Sequence, residues 1–147
     1  GDEINIIKKS NFIPNFGWPI SSYGKHYPKN SSKEFYDKAP LYKSHLKYGF
    51  VEPIKVFVPS IGITQIVKNE NITNKNKYFF ASMGYEDREN SLSIHEIVFD
   101  KYYTKITDED KIKIKNRVRD LVFVKEKNIL LGFLEKKGSI IVIDLNE

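Results

Sequence analysis

Three short apolar runs separated by polar turns dominate the last third of the chain. They occupy residues 117–124, 128–134 and 139–145, and Val, Ile, Leu and Phe supply most of their positions. Residues 126–127 and 136–138 separate the runs with Glu, Lys and Gly, which are typical of turns. This pattern predicts a three-stranded antiparallel meander.

Shorter β-branched and aromatic runs precede the meander. They predict strands at residues 2–9, 52–58, 62–68, 78–83, 92–99 and 102–106. Residues 11–27 are rich in Gly, Pro, Asn and aromatic residues, which excludes a regular helix or a central strand and predicts an ordered loop. No run has a helical period, so the pattern predicts an all-β chain of roughly ten short strands.

A row of cations lies just before the meander. Lys111, Lys113, Lys115, Arg117 and Arg119 alternate with other residues, and in an extended chain this spacing puts all five on one face. Lysines on such a face are typical of a solvated strand that resists edge-to-edge pairing. The two arginines allow a second interpretation, because guanidinium groups bind carboxylate or phosphate in a bidentate manner.

Composition narrows the class of protein. The chain has 147 residues, 40% of them hydrophobic and 29% charged, which is typical of one folded domain. The net charge of +5 permits anionic partners, and the lack of cysteine excludes disulfides and thiolate metal sites. No apolar run approaches the ~20 residues that span a bilayer, and no signal peptide is expected in a chain that opens with Gly-Asp-Glu.

Other candidate chemistry is weak. His26, His45 and His95 lack metal-ligand spacing. His26 is interpreted as a surface-loop residue and His95 as a strand residue that is packed or half-exposed. The acidic run 108–110 could bind a cation, but an ordinary acidic turn is favoured. No phosphate-binding or dinucleotide-binding glycine motif occurs in the sequence.

Several motifs occur in a characteristic order ahead of the meander. They are Gly1-Asp2-Glu3-Ile4-Asn5, Asn15-Phe16-Gly17-Trp18-Pro19, Tyr23-Gly24, Pro59-Ser60 and Arg117-Val118-Arg119-Asp120. In this order and spacing they resemble the soluble glucose/sorbosone dehydrogenase family, the pyrroloquinoline-quinone-dependent aldose sugar dehydrogenases. The resemblance covers nearly the whole chain. It implies a six-bladed β-propeller, of which residues 1–147 would be a C-terminal fragment of about two and a half to three blades, each an antiparallel four-stranded sheet.

The resemblance also implies a site. Arg117 and Arg119 match arginines that contact the quinone cofactor, and Glu3 matches a carboxylate associated with a structural calcium. The family's catalytic histidine lies upstream of the matched region, so no catalytic residue is expected in this chain. Three positions depart from the family pattern, since Gly84 replaces a cofactor-binding lysine, Phe16 a tyrosine and Val58 an aromatic residue.

Two functions of different classes follow from the resemblance. The first is the C-terminal portion of a quinone-dependent sugar dehydrogenase, with a sugar substrate, a periplasmic or secreted location and no activity as this chain alone. The alternative is a non-catalytic propeller module that has lost the cofactor. Neither nucleic acid nor membrane is an expected partner.

Pairing between copies, or with the remaining blades of the propeller, is expected on either reading. A partial propeller would otherwise expose an apolar face, which is expected around Phe79, Phe80, Val122 and Ile141.

Overall fold

The computed structural model describes residues 1–9, 11–18, 20–24 and 45–146. The chain divides into two compact units, Gly1–Ser60 and Ile61–Glu147. In the described residues the regular structure is β-strand apart from two single-turn 3-10 helices, Leu46–Tyr48 and Lys125–Lys127. The all-β prediction is confirmed for this part of the chain. No helix among these residues has the length and apolar character needed to span a membrane.

The described residues of the first unit form one short strand pair. Strand β1 (Asp2–Ile4) pairs antiparallel with β2 (Lys55–Phe57). Both strands are shorter than the predicted runs at 2–9 and 52–58. Pro53 lies just before β2 and has no N–H to donate, which limits the pairing at that end.

The second unit contains a four-stranded antiparallel sheet in which neighbours in sequence are neighbours in space. Its strands are β3 (Ile63–Lys68), β4 (Asn76–Ser82), β5 (Ser93–Phe99) and β6 (Ile106–Lys113). The predicted strand at 102–106 is wrong. Residues 101–105 form a turn in which Tyr103 has φ +56° and Asp100 accepts hydrogen bonds from the N–H groups of Thr104 and Lys105.

A three-stranded antiparallel meander follows, as predicted. It consists of β7 (Val118–Val124), β8 (Ile129–Leu134) and β9 (Ser139–Asp144). The β7–β8 connection is the 3-10 turn closed by Asn128, whose φ of +50° suits an asparagine better than a branched residue. The four-stranded arrangement implied by the resemblance is therefore observed in one sheet of this unit and not in the other.

The row of five cations on one strand face is also wrong. Strand β6 ends at Lys113, Lys115 has φ +59°, and β7 begins only at Val118. The N–H groups of Ile114 and Lys115 both donate to the carbonyl of Leu92, at 2.9 and 3.0 Å. The chain bends here because it leaves one sheet and enters the other.

The core of the second unit joins the two sheets. In β4 and β5 one face presents Phe79, Ala81 and Ile94, and these residues pack with the inner face of the meander. The buried cluster consists of Phe79, Ala81, Ile94, Val118, Leu121, Leu130 and Leu134. Burial of these side chains provides the main stabilisation of the unit.

The outer face of the meander remains apolar and exposed. Val122, Phe133, Ile140 and Val142 are 51%, 41%, 65% and 63% exposed. The prediction of an exposed apolar face is thus confirmed at Val122, but it is wrong for Phe79, Phe80 and Ile141. Phe79 and Phe80 are buried in the four-stranded sheet, and Ile141 is half-buried on the inner side.

Candidate anion-binding site

A pocket of about 600 Å³ lies where loops from both sheets of the second unit meet. Ser93 is opposite Lys113 in the first sheet and Val118 is opposite Leu134 in the second. The loop after β4, the β6–β7 bend and the β8–β9 turn therefore lie at one end of the unit. The pocket is lined by Gly84, Tyr85, Glu86, Leu92, Lys115, Asn116, Arg117 and Lys136.

Arg117 forms a fixed part of the pocket wall. Its Nε donates to Oε2 of Glu135 at 2.5 Å, and its Nη1 donates to the carbonyl of Met83 at 2.7 Å. The backbone brings the two charged residues together, because the N–H of Glu135 donates to the carbonyl of Arg117 at 3.0 Å. A guanidinium held at two points has lost most of its side-chain freedom before any ligand arrives.

Arg119 shares the same carboxylate but does not line the pocket. Its Nη2 donates to Oε1 of Glu135 at 2.5 Å, and its side chain is more exposed than that of Arg117. The hydrogen bond from Arg117 and then that from Arg119 lower the pKa of Glu135 below its usual value. The structure therefore brings the two predicted arginines together, with a carboxylate of the chain between them.

The charge of the pocket is positive. Three lining residues, Lys115, Arg117 and Lys136, are cationic, and one, Glu86, is anionic. Glu135 does not line the pocket, but its carboxylate neutralises part of the positive charge of Arg117 and Arg119. Anions are the class of ligand that such a pocket attracts.

Gly84 lines this pocket at the position where the resemblance places a lysine. A Cβ built on Gly84 would lie against Oγ of Ser91 and 2.7 Å from the carbonyl oxygen of Ile61. The latter is a backbone atom, so a side chain at this position requires the loop to move. A lysine side chain at position 84 is therefore incompatible with this loop conformation.

Several residues of the pocket were missed from the sequence. Tyr85, Glu86, Asn116 and Lys136 line it and Glu135 supports it. The predicted meander contained a usable signal, because antiparallel pairing brings the start of one strand beside the end of the next. That rule places Glu135 and Lys136 next to Arg117.

The predicted metal ligand lies in the first unit. Glu3 is in β1, opposite Val56. Across the described ranges, no group of three or more His, Asp or Glu side chains is arranged to hold a metal ion. The assignment of Glu3 to calcium stays a prediction.

A different carboxylate organises this unit. Glu52 accepts hydrogen bonds from the hydroxyl of Tyr23 at 2.5 Å and from the N–H of Leu46 at 2.9 Å. The hydrogen bond to Glu52, together with burial, raises the pKa of Tyr23 to about 12. Glu52 therefore ties two separate segments of the unit together.

The histidines serve as packed residues where the structure describes them. His45 is buried, with Nε2 3.0 Å from the carbonyl of Phe16 and Nδ1 3.1 Å from Oγ of Ser21. The carbonyl can only accept, so Nε2 of His45 carries a proton and donates it to this hydrogen bond. His95 stacks on Phe80 with 4.6 Å between ring centroids. The prediction of a packed His95 is confirmed, and His26 lies outside the described residues.

The acidic run 108–110 is not a turn, which corrects that interpretation. These residues lie in β6 and are exposed to solvent. Asp110 is opposite Glu96 and Asp108 is opposite Val98. They form the charged edge of the four-stranded sheet.

Comparison with known proteins assigns a family to the chain. The model of the glucose/sorbosone dehydrogenase family matches residues 1–142. The uncharacterized protein slr1608 of Synechocystis sp. (strain ATCC 27184 / PCC 6803 / Kazusa) is 31% identical over 124 residues, which cover 82% of this chain and 26% of that protein. The chain thus spans about a quarter of the length of this relative. No solved structure gives a significant match.

Proposed function

Because the chain belongs to the glucose/sorbosone dehydrogenase family, we propose that it forms the cofactor-contacting part of a sugar dehydrogenase. Arg117 and Arg119 would contact pyrroloquinoline quinone, and the substrate would be an aldose sugar. The proposal concerns a protein in which these residues act together with others, since the matched relative is much longer than the chain.

The observation that supports this proposal best is the anchored guanidinium of Arg117 in a cationic pocket. The quinone carries several carboxylates, which are the natural partners of guanidinium and ammonium groups. A volume of about 600 Å³ lies within the usual range for small-molecule sites.

The residues of the pocket fit such a cofactor in charge. When bound, the quinone supplies the two-electron oxidation of a sugar hydroxyl. Arg117 would hold one carboxylate in a fixed direction, because Glu135 and the Met83 carbonyl already orient its guanidinium. Arg119, with one donor used by Glu135, would present its remaining donors from the exposed side.

The residues described do not offer a comparable fit for calcium. Glu3 has no cluster of acidic or histidine partners within the described part of the chain. Calcium needs several oxygen ligands, and a single carboxylate does not provide them.

The fold that we propose for the whole protein is a β-propeller. The four-stranded meander β3–β6 has the topology of one blade, and the meander β7–β9 has three of four strands. A periplasmic or secreted location is proposed from the family alone. Because the family's catalytic histidine has no counterpart in the matched region, we expect no sugar oxidation by this chain alone.

One observation favours the alternative, a propeller module without the cofactor. Gly84 leaves no room for the lysine that the family uses at this position. This alternative predicts that the chain binds no quinone.

The test is isothermal titration of pyrroloquinoline quinone into the chain. We expect binding by the wild type, and about tenfold weaker binding after Arg117→Ala, since the variant loses charged hydrogen bonds. Lys127→Ala is the matched control, because Lys127 is an exposed cation that does not line the pocket. Equal affinities in the two variants would contradict the assignment of Arg117, and no binding by the wild type would favour the alternative.

A further inference from the structure

We propose that Lys115 and Lys136 are the ligand-binding cations of the pocket, and that they bind two carboxylates of one aromatic polycarboxylate. The inference deepens the proposed function, on which its choice of ligand rests. The family resemblance gives no role to these two lysines.

The backbone holds Lys115 in a conformation that a lysine rarely adopts. Its φ of +59° lies in the left-handed region, which is unfavourable for an L-residue with a side chain. The hydrogen bonds from Ile114 and Lys115 to the carbonyl of Leu92 fix this bend. An unfavourable conformation that the surroundings enforce is a frequent feature of binding sites.

Lys136 lies in the tight turn between β8 and β9. The N–H groups of Lys137 and Gly138 donate to the carbonyl of Leu134 at 3.2 and 2.9 Å, and Gly138 has φ +58°. Lys136 lines the pocket, whereas its neighbour Lys137 does not. Both lysines are exposed and positively charged, but the turn places only Lys136 in the pocket wall.

The lysines next to the pocket are already engaged, but the two in its wall are not. Lys111 donates to Glu89 and Asn90, at 3.2 and 3.0 Å, and Lys113 donates to the carbonyl of Ser91 at 2.6 Å. Neither Lys115 nor Lys136 has a side-chain hydrogen bond or an ion pair with any residue that the structure describes. Their ammonium groups are available to a ligand.

The chemistry of the lining selects the ligand class. Two ammonium groups and one anchored guanidinium suit a molecule with at least two carboxylates. Tyr85 adds an aromatic side chain that is 69% exposed to solvent. The guanidinium carbon of Arg88 lies over its ring, 5.0 Å from the ring centroid. Such a ring offers a planar ligand a surface on which to stack.

The experiment uses two probes, pyrroloquinoline quinone and benzene-1,3,5-tricarboxylate, titrated calorimetrically into the chain at low salt. The variants are Lys115→Gln, Lys136→Gln and the double variant, with Lys137→Gln as the matched control. We expect each single variant to weaken binding by about three- to fivefold, and the double variant by about tenfold or more. All variants should keep the wild-type unfolding midpoint, because neither the Lys115 nor the Lys136 side chain has a hydrogen bond or ion pair with a residue that the structure describes.

The outcomes separate this inference from the proposed function. Quinone binding that is equal in the double variant and in Lys137→Gln would overturn the inference and leave the function standing. Lysine-dependent binding of the tricarboxylate without quinone binding would support the inference and overturn the cofactor. Binding of neither probe by the wild type would overturn both.

Discussion

The two sheets of the second unit share a topology but differ in what covers them. In the four-stranded sheet both central strands are buried on both faces, and Phe80 and Ile97 are as inaccessible as Phe79 and Ile94. In the three-stranded meander only the inner face is buried, and the outer face exposes Val, Phe and Ile side chains. Both faces of the central strands are therefore inaccessible in the four-stranded sheet, whereas the meander has an apolar side that solvent reaches.

The edge strands of the two sheets differ in charge. Strand β6 carries Asp108, Glu109, Asp110, Lys111 and Lys113 among its eight residues, a pattern that discourages pairing with another strand. Strand β9 has no charged residue before Asp144. The meander that carries Arg117, Arg119 and Glu135 is thus also the sheet with an unprotected edge. The exposed apolar side and the uncharged edge thus both belong to the meander, whereas the candidate pocket is built from loops of both sheets.

The largest effect should come from the shared core. Ile94→Ala, in the four-stranded sheet, should lower the free energy of unfolding by about 2–5 kcal/mol, because Ile94 is buried between the sheets. Ile140→Ala, on the outer face of the meander, should change it by less than about 0.5 kcal/mol. Urea unfolding of both variants measures the difference, and similar losses would show that the outer face is covered in solution.

A second prediction concerns the steric limit at Gly84. Gly84→Ala should lower the free energy of unfolding by about 1–3 kcal/mol, because the new Cβ meets Ser91 and the backbone of Ile61. Gly84→Lys should be no more stable and should not improve quinone binding. Gly138→Ala is a useful control, since a Cβ there meets nothing within 4 Å and only the backbone angle is strained. A stable Gly84→Lys variant with tighter quinone binding would contradict the account of the missing lysine.

In each sheet, the connection after one strand carries a carboxylate whose pKa is lowered. The N–H of Lys105, followed by the groups of Thr104, lowers the pKa of Asp100 from 3.8 to about 2, and Arg117 and Arg119 lower that of Glu135 from 4.5. A carboxylate with a lowered folded-state pKa stabilises the fold fully above its unfolded pKa, and this contribution is lost as the pH falls through the folded value.

The unfolding midpoint should therefore decrease as the pH falls from 4.5 towards 2. Asp100→Asn and Glu135→Gln should each be less stable than the wild type at neutral pH and depend less on pH in the acid range. Thermal unfolding across this range measures both effects. An unchanged acid dependence in the two variants would show that other groups control it.

The smallest effect on stability, with a visible effect on association, should come from the outer face. Replacing Ile140 and Val142 by Thr removes exposed methyl groups and should leave the unfolding free energy nearly unchanged. If copies of the chain pair through this face, sedimentation velocity should show less association in the variant. Equal sedimentation of variant and wild type would argue that the face does not mediate self-association.

The sequence predicted those elements that appear as apolar runs bounded by turn residues. The meander β7–β9 was correct within one residue, because each strand is a largely apolar run and each turn has Gly, Asn or Lys. The bend at Lys115 was missed, because the pattern of alternating cations continues across it. Tyr103 was assigned to a strand for a similar reason, since tyrosine favours strands and its positive φ is not visible in the sequence.

The site was predicted only in part. Arg117 and Arg119 could be selected by residue type and resemblance. Glu135 was missed, although strand pairing in the predicted meander places it beside Arg117. Lys136 was read only as part of a turn, and its position in the pocket wall also depends on the packing of the two sheets. Proximity within the meander was therefore readable from the sequence, and proximity between the two sheets was not.

The most direct test of the account is an assigned NMR titration of the chain with pyrroloquinoline quinone. We expect the largest chemical-shift changes at residues 84–86, 115–117 and 136, and almost none at Ile140 or Val142. Unchanged signals around Arg117, or changes confined to residues 1–60, would contradict an anion-binding site at this pocket.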